Sequence, residues 1–265
     1  MILNPMGRGE EKMTDELITR AASDIVKAKK VVALTGAGMS VESGIAPFRG
    51  EGGIWEKYDP VEYAYIDVLR TNPGKTWILL SEMQKEILKA KPNPGHRSLA
   101  ELERLGFLSS IITQNVDGLH HEAGSKQVIE FHGNHRRANC MTCGKQIKSE
   151  DISLETLPPR CDCGGVIRPD VVFFGEAIPY DALTTSNQET RSCSVMLVIG
   201  TSAEVQPAAS LPDIAKSSGA TVIEINIEAT GFTGYTSDYF IKGKAGEILP
   251  KIVSKVKAES ANLSA

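Results

Sequence analysis

Apolar residues fall along the chain in short runs, separated by longer stretches where apolar and polar positions follow a helical period. The runs 31–34, 109–113, 128–131, 195–200, 221–226 and 239–241 have strand length and are rich in Val and Ile. Helical patterns occupy 14–29, where Thr14 is a suitable cap and Asp15 and Glu16 lie in the first turn, and then 97–105, 208–218 and 246–256. Strands alternating with helices predict an α/β chain whose doubly wound parallel sheet is Rossmann-like. In such a sheet the ligand crevice lies beyond the carboxyl ends of the strands, so the residues just after each run are the ones to inspect.

After the first run come Gly36-Ala37-Gly38-Met-Ser40 and Gly44. Glycines there let the backbone turn sharply and approach a ligand, with amides available to oxyanions. A third glycine at 41 would complete the dehydrogenase fingerprint, but Val41 stands there, and no Lys-Ser/Thr follows to make a P-loop. A tight strand-to-helix turn would account for the same residues. The second run ends in Gln114-Asn115-Val-Asp117-Gly, which reads either as crevice residues or as an Asx turn. His132 follows the third run, where an imidazole can serve as a general base near neutral pH. Gly200-Thr201-Ser202 and Asn226-x-Glu228 follow the next two, the acid being suited to a ribose hydroxyl.

Composition narrows the classes. A 265-residue chain can bury a large core, and a net charge of −4 gives no overall attraction to nucleic acid or to an anionic membrane. No apolar run approaches the roughly 18 residues of a membrane span and the N-terminus lacks a signal-peptide core, so a cytoplasmic protein with no membrane partner is expected. Residues 1–13 are expected to be a flexible leader and 259–265 a flexible tail. Four of the five cysteines cluster as Cys140-x2-Cys143 and, after 17 residues, Cys161-x-Cys163. In a reducing compartment that spacing favours one zinc held by four thiolates over disulfides. Four protein ligands leave no position for a reactive water, so the zinc is expected to be structural. Cys193, beside a buried strand, reads as a core residue.

Taken together, Gly36-Ala-Gly-Met-Ser40, Phe48-Arg49, Thr113-Gln-Asn-Val-Asp-Gly-Leu-His120, Phe131-His-Gly133, the four cysteines, Val172-Phe-Phe-Gly-Glu176, Gly200-Thr-Ser202 and Asn226-x-Glu228 resemble the sirtuins, NAD-dependent protein lysine deacylases. The order is unbroken over residues 14–257, and the Cys-x-Cys pair is similar to that of some archaeal members. One departure is Gly44-Ile-Ala46-Pro47-Phe48-Arg49, where the family commonly reads Gly-Ile-Pro-Asp-Phe-Arg.

The resemblance implies a Rossmann-like NAD-binding domain over 14–60, 105–135 and 166–258, and a smaller one made of a helical module at 61–104 and a zinc ribbon at 136–165. It implies that NAD is a co-substrate. Gly36, Ala37, Gly38, Ser40 and Arg49 would hold its pyrophosphate, with Gly200, Thr201 and Ser202 helping to seat it, Asn226 and Glu228 would bind its adenosine ribose, and Gln114, Asn115 and Asp117 would line its nicotinamide and ribose; Phe48 and Ala245 complete the cofactor-binding set. Acylated-lysine proteins would be the partners, chromatin or nucleic-acid-binding proteins among them. The acyl-lysine would enter near Val172 and Phe173, and its peptide would pair as a strand between Phe174-Gly175-Glu176 and the segment reaching Val205. His132 would be the base, with Asn115 and Asp117 beside it. Sirtuins that prefer succinyl or malonyl groups carry a Tyr-x-x-Arg pair where this chain has Leu80 and Met83, so acetyl or longer aliphatic groups are expected instead. Three other readings compete: an ADP-ribosyltransferase using the same pocket, a dehydrogenase, which the missing third glycine disfavours, and a zinc-ribbon nucleic-acid adaptor built on Arg136, Arg137, Lys145 and Lys148.

Overall fold

A computed structural model describes residues 5–263. Ten α-helices are described: α1 (Pro5–Lys27), α2 (Ile54–Lys57), α3 (Pro60–Tyr63), α4 (Ile66–Thr71), α5 (Pro73–Lys89), α6 (Pro94–Arg104), α7 (Leu119–Glu122), α8 (Tyr180–Ser192), α9 (Leu211–Ser217) and α10 (Ala245–Leu263). The strands are β1 (Val31–Thr35), β2 (Ser110–Thr113), β3 (Val128–Glu130), β4 (Gly133–Cys140), β5 (Gln146–Lys148), β6 (Ile167–Val171), β7 (Val195–Ile199), β8 (Thr221–Asn226) and β9 (Tyr239–Lys242).

Every apolar run foreseen as a strand becomes one, and the six form a sheet in the order β3-β2-β1-β7-β8-β9 with all neighbours parallel. Both faces of this sheet are covered, which is why β1 and β7 are buried at every position and carry no alternation. On one face Ile18 and Ile25 of α1, Leu99 and Leu102 of α6 and Leu249 and Ile252 of α10 pack against Val31, Ala33 and Ile111. On the other, Leu211 and Ala215 of α9 and Phe131 and Phe232 pack against Val32, Leu34, Met196 and Val198. The strand order reverses between β1 and β7, so the topological switch point lies there.

A second body stands beside the sheet. Strands β5-β4-β6 make an antiparallel sheet whose apolar side receives Ile66 and Leu69 of α4 and Trp77 and Leu80 of α5. Trp77 is wholly buried, and its indole N–H donates to the Ile167 carbonyl at 2.8 Å, which locks α5 onto β6. Helical module and ribbon thus share one core.

Three expectations need correction. Residues 5–13 are not a flexible leader: they open α1, where Glu10, Glu11, Lys12 and Met13 are good helix formers; residues 1–4 lie outside the described residues. Nor are 259–263 a tail, because α10 runs to Leu263 and Glu259 accepts a hydrogen bond from Ser23 of α1 at 2.9 Å; residues 264–265 lie outside the described residues. The helical module also ends earlier than residue 104, since α6 buries Leu99 and Leu102 under the large sheet. Among the described residues no helix is long and apolar enough to cross a membrane.

Candidate active site

A cleft of about 1180 Å³ opens at the carboxyl ends of the strands, between the two bodies. It is bordered by Gly36, Ala37, Gly38, Phe48, Arg49, Gln114, Asn115, His132, Gly200, Thr201, Ser202, Asn226 and Glu228 from the large body and by Leu80, Met83 and residues 172–176 from beside the small one, with Val205 on the rim. Nearly all the candidate residues therefore meet in one place. Ala245 does not: it is buried in the core at the start of α10 and lies off the cleft wall. Ser40 and Asp117 also stand behind the cleft, lining with Asn115, Ala46 and Phe48 a small adjoining pocket of about 30 Å³.

The glycines act differently from expectation. A Cβ on Gly36 would lie 2.7 Å from the Gly200 carbonyl oxygen, and one on Gly38 would lie 2.8 Å from Gly200 Cα, so both are glycine because two strand-end loops touch at the switch point. Their amides are occupied as well: Gly36 N–H donates to Ile199, Gly38 to Gly200, Met39 to Gly36 and Ser40 to Ala37. Arg49 is the cation on the cleft wall, and it faces Glu204 at 2.8 Å. The departure at Ala46-Pro47 leaves its loop well anchored, with Ile54 N–H donating to the Pro47 carbonyl and Trp55 N–H to that of Phe48.

His132 presents one nitrogen to the cleft. Its Nδ1 lies 3.1 Å from the Gln114 carbonyl oxygen, which can only accept, so Nδ1 carries the proton and Nε2 keeps its lone pair. Burial lowers the pKa of the ring below 6.5, with the Gln114 bond opposing in part, so the neutral base form prevails at pH 7. Behind it a buried chain fixes the polar loop: Ser40 Oγ donates to Asp117 Oδ2 at 2.7 Å, and Asn115 Nδ2 donates to Ser40 Oγ at 3.1 Å and to the Gly36 carbonyl at 2.9 Å. Burial raises the pKa of Asp117, while the Leu119 N–H and the Ser40 hydroxyl hold it back. His96 and His120 continue the chain inward, ring centroids 4.9 Å apart, and burial holds His96 down to about 4.

The far walls are set by other devices. Glu176 closes the 172–176 turn, accepting from Phe173 N–H at 2.9 Å and bidentately from Arg168 at 2.8 Å. At the opposite end Glu224, buried on β8, accepts from the hydroxyls of Thr230, Thr233 and Ser237 and so anchors the loop that follows Asn226. Trp55 and His135 border the cleft and escaped the sequence reading. Trp55 packs at a tilt between Phe48 and Phe174, at centroid distances of 5.3 and 6.2 Å; an aromatic just after a glycine-rich segment was its only signal.

The four cysteines converge at the tip of the small body, every pair of sulfurs within 4.8 Å, with Cys140–Cys163 at 3.5 Å and Cys143–Cys161 at 3.8 Å. A tetrahedron with Zn–S of about 2.3 Å has sulfurs about 3.8 Å apart, so the donor set fits zinc. Nearby cations are matched: Arg136 by Glu122, Arg137 by Glu130 and Asp170, Lys145 by Asp162 and Lys148 by Glu150. Each of these four cations therefore has a carboxylate neighbour.

Residues 36–207 match the Sir2 family. A relative from Pyrococcus furiosus, named NAD-dependent protein deacylase, is 47% identical over 241 residues, covering 88% of this chain and 95% of its own. Among solved structures, a mutant Sir2 homologue in complex with ADP-ribose superposes with a TM-score of 0.87 at 43% identity, covering 91% of this chain and 97% of its own. A mutant Sir2 with a deacetylated p53 peptide and 3′-O-acetyl-ADP-ribose gives 0.85 at 36% identity, covering 90% and 98%.

Proposed function

Because the chain belongs to the Sir2 family, we infer that its cleft takes NAD and an acylated lysine together and transfers the acyl group to the ADP-ribose moiety. The activity is NAD-dependent protein deacylation, giving nicotinamide, free lysine and O-acyl-ADP-ribose. NAD supplies an electrophilic ribose carbon once its nicotinamide bond breaks, and the weakly nucleophilic amide oxygen of the acyl-lysine reaches that carbon when both are held in one water-poor site.

The chain's residues do the rest. Arg49, Thr201 and Ser202 hold the phosphates, Asn226 and Glu228 the adenosine ribose, and Gln114, Asn115 and Asp117 the nicotinamide end. His132 takes a proton from a ribose hydroxyl at Nε2. The observation that carries this reading is the tautomer of His132, fixed by the Gln114 carbonyl so that a basic nitrogen faces the same cleft as the strand-end residues. The substrate peptide lies as a strand between the 174–176 segment and the segment reaching Val205. Zinc, held by Cys140, Cys143, Cys161 and Cys163, stays out of the chemistry, and its thiolates suit the reducing cytoplasm.

Glu51 on the cleft wall, which has no role in holding NAD, favours lysines flanked by basic residues. Chromatin and other nucleic-acid-binding proteins offer such sequences. The test is incubation with NAD and acetylated peptides, following nicotinamide and O-acetyl-ADP-ribose together. Equal release of the two supports deacylation, whereas label from NAD retained on protein would make this an ADP-ribosyltransferase.

A further inference from the structure

Strand β4 parts from β6 in mid-course. Gly133 and Asn134 pair with Val171 and Asp170, and Ala138, Asn139 and Cys140 with Pro169, Arg168 and Ile167, so His135, Arg136 and Arg137 have no counterparts on β6. Bulges of this kind re-aim side chains next to functional sites. Arg136 and Arg137 turn to carboxylates. His135 instead gives its backbone N–H to the Val116 carbonyl at 2.7 Å, which ties it to the polar loop after β2.

The imidazole of His135 is 1% exposed and borders the cleft beside Leu79, Leu80, Met83 and Val116. Among the described residues neither of its ring nitrogens has a hydrogen-bond partner. Gln84 Oε1 is likewise unmatched, while its amide donates to Ser149, whose hydroxyl binds the His135 carbonyl. A buried polar ring with both nitrogens unmatched is costly in a native fold and calls for an occupant.

We propose that His135 is a specificity-determining residue that reads the far end of the acyl chain, and that among four-carbon acyl groups the enzyme prefers one bearing a hydroxyl, such as 3-hydroxybutyryl-lysine. The proposal rests on the deacylase reading. Burial holds the ring down to about 4, so at neutral pH it is uncharged and offers one N–H and one lone pair. A hydroxyl both donates and accepts, and so can match either nitrogen. A carboxylate only accepts, and it would meet Leu80 and Met83 without a counter-charge. A plain alkyl chain leaves the ring unmatched, and sites built to bond a hydroxyl discriminate against analogues that lack it.

The experiment compares kcat/KM on matched peptides carrying butyryl-lysine and 3-hydroxybutyryl-lysine, with an acetyl peptide run alongside, for the wild type, His135→Leu and His135→Gln. The wild type should favour the hydroxylated group by roughly tenfold or more. His135→Leu should erase that ratio, and His135→Gln, which restores a donor and an acceptor, should keep part of it. A wild-type ratio near one, or a preference that survives His135→Leu, overturns the proposal, and the wild-type ratio decides alone if the leucine variant does not fold. Turnover of the acetyl peptide with both four-carbon peptides inert would also overturn it, leaving the deacylase reading intact. Silence on all three peptides would refute the deacylase reading itself, and the pocket with it.

Discussion

Replacing His132 with alanine isolates the base from the rest of the cleft. The side chain makes one bond to the loop after β2, at the Gln114 carbonyl, and Gln114 is held independently by its own N–H on the Thr35 carbonyl, so His132→Ala should leave NAD affinity largely unchanged. A positioned general base contributes roughly 10²–10⁴-fold, or about 3–5 kcal/mol of barrier, and the acyl-transfer half of the reaction should slow by that factor. Nicotinamide loss precedes the base's step and should persist. Rapid-quench single turnovers that quantify nicotinamide and O-acyl-ADP-ribose separately would therefore split in the variant and coincide in the wild type. The pH profile is a second check. Since burial moves the pKa of His132 below 6.5, at least about nine-tenths of the ring is unprotonated at pH 7.5, and the acid limb of kcat/KM should lie below pH 6.5. Near wild-type deacylation by His132→Ala, or an acid limb above pH 6.5, would refute the assignment.

Cys161→Ala should release zinc and loosen the ribbon over 136–168, lowering activity indirectly; metal analysis with a melting curve checks it, and unchanged melting and turnover would exclude a structural zinc. Leu80→Tyr combined with Met83→Arg, on the wall of the cleft, should shift preference from acetyl toward succinyl peptides, whereas the unmodified enzyme should handle succinyl poorly because a desolvated carboxylate loses roughly a few kcal/mol there. Competing-peptide assays read the ratio. His96 adds acid lability: its pKa is 6.5 unfolded and about 4 folded, so the unfolded chain binds the proton first and stability falls as pH drops from 6.5 to 4. At 1.36 kcal/mol per pH unit the loss approaches about 3 kcal/mol, and urea titrations should show a smaller loss between pH 7 and 4.5 in His96→Gln.

The large sheet was legible because its strands are buried on both faces and so appear as continuous apolar runs, and the polar residues after them fall where a parallel sheet must open. The ribbon strands were not. Gly133–Cys140 mixes buried Asn134 and His135 with exposed Arg137, a pattern imposed by a bulge that no period describes. Glycine identity misled for a related reason. Gly36 and Gly38 are required by Gly200, a residue more than 160 positions away, and sequence cannot distinguish close approach to a ligand from close approach to another loop. Ala245 was assigned by family position alone, and its burial sets it apart from the cleft.

The three hydroxyls gathered on Glu224 bear on how the catalytic cycle ends. They order the loop beyond Asn226 before any nucleotide arrives, so the adenosine half of NAD, bound as proposed, docks on a wall that loses little further freedom. That half passes through the reaction unaltered and is equally at home on the wall in the acylated product. Affinity gained at capture is thus retained at release, and departure of O-acyl-ADP-ribose, rather than acyl transfer, becomes the natural brake on turnover when NAD is abundant.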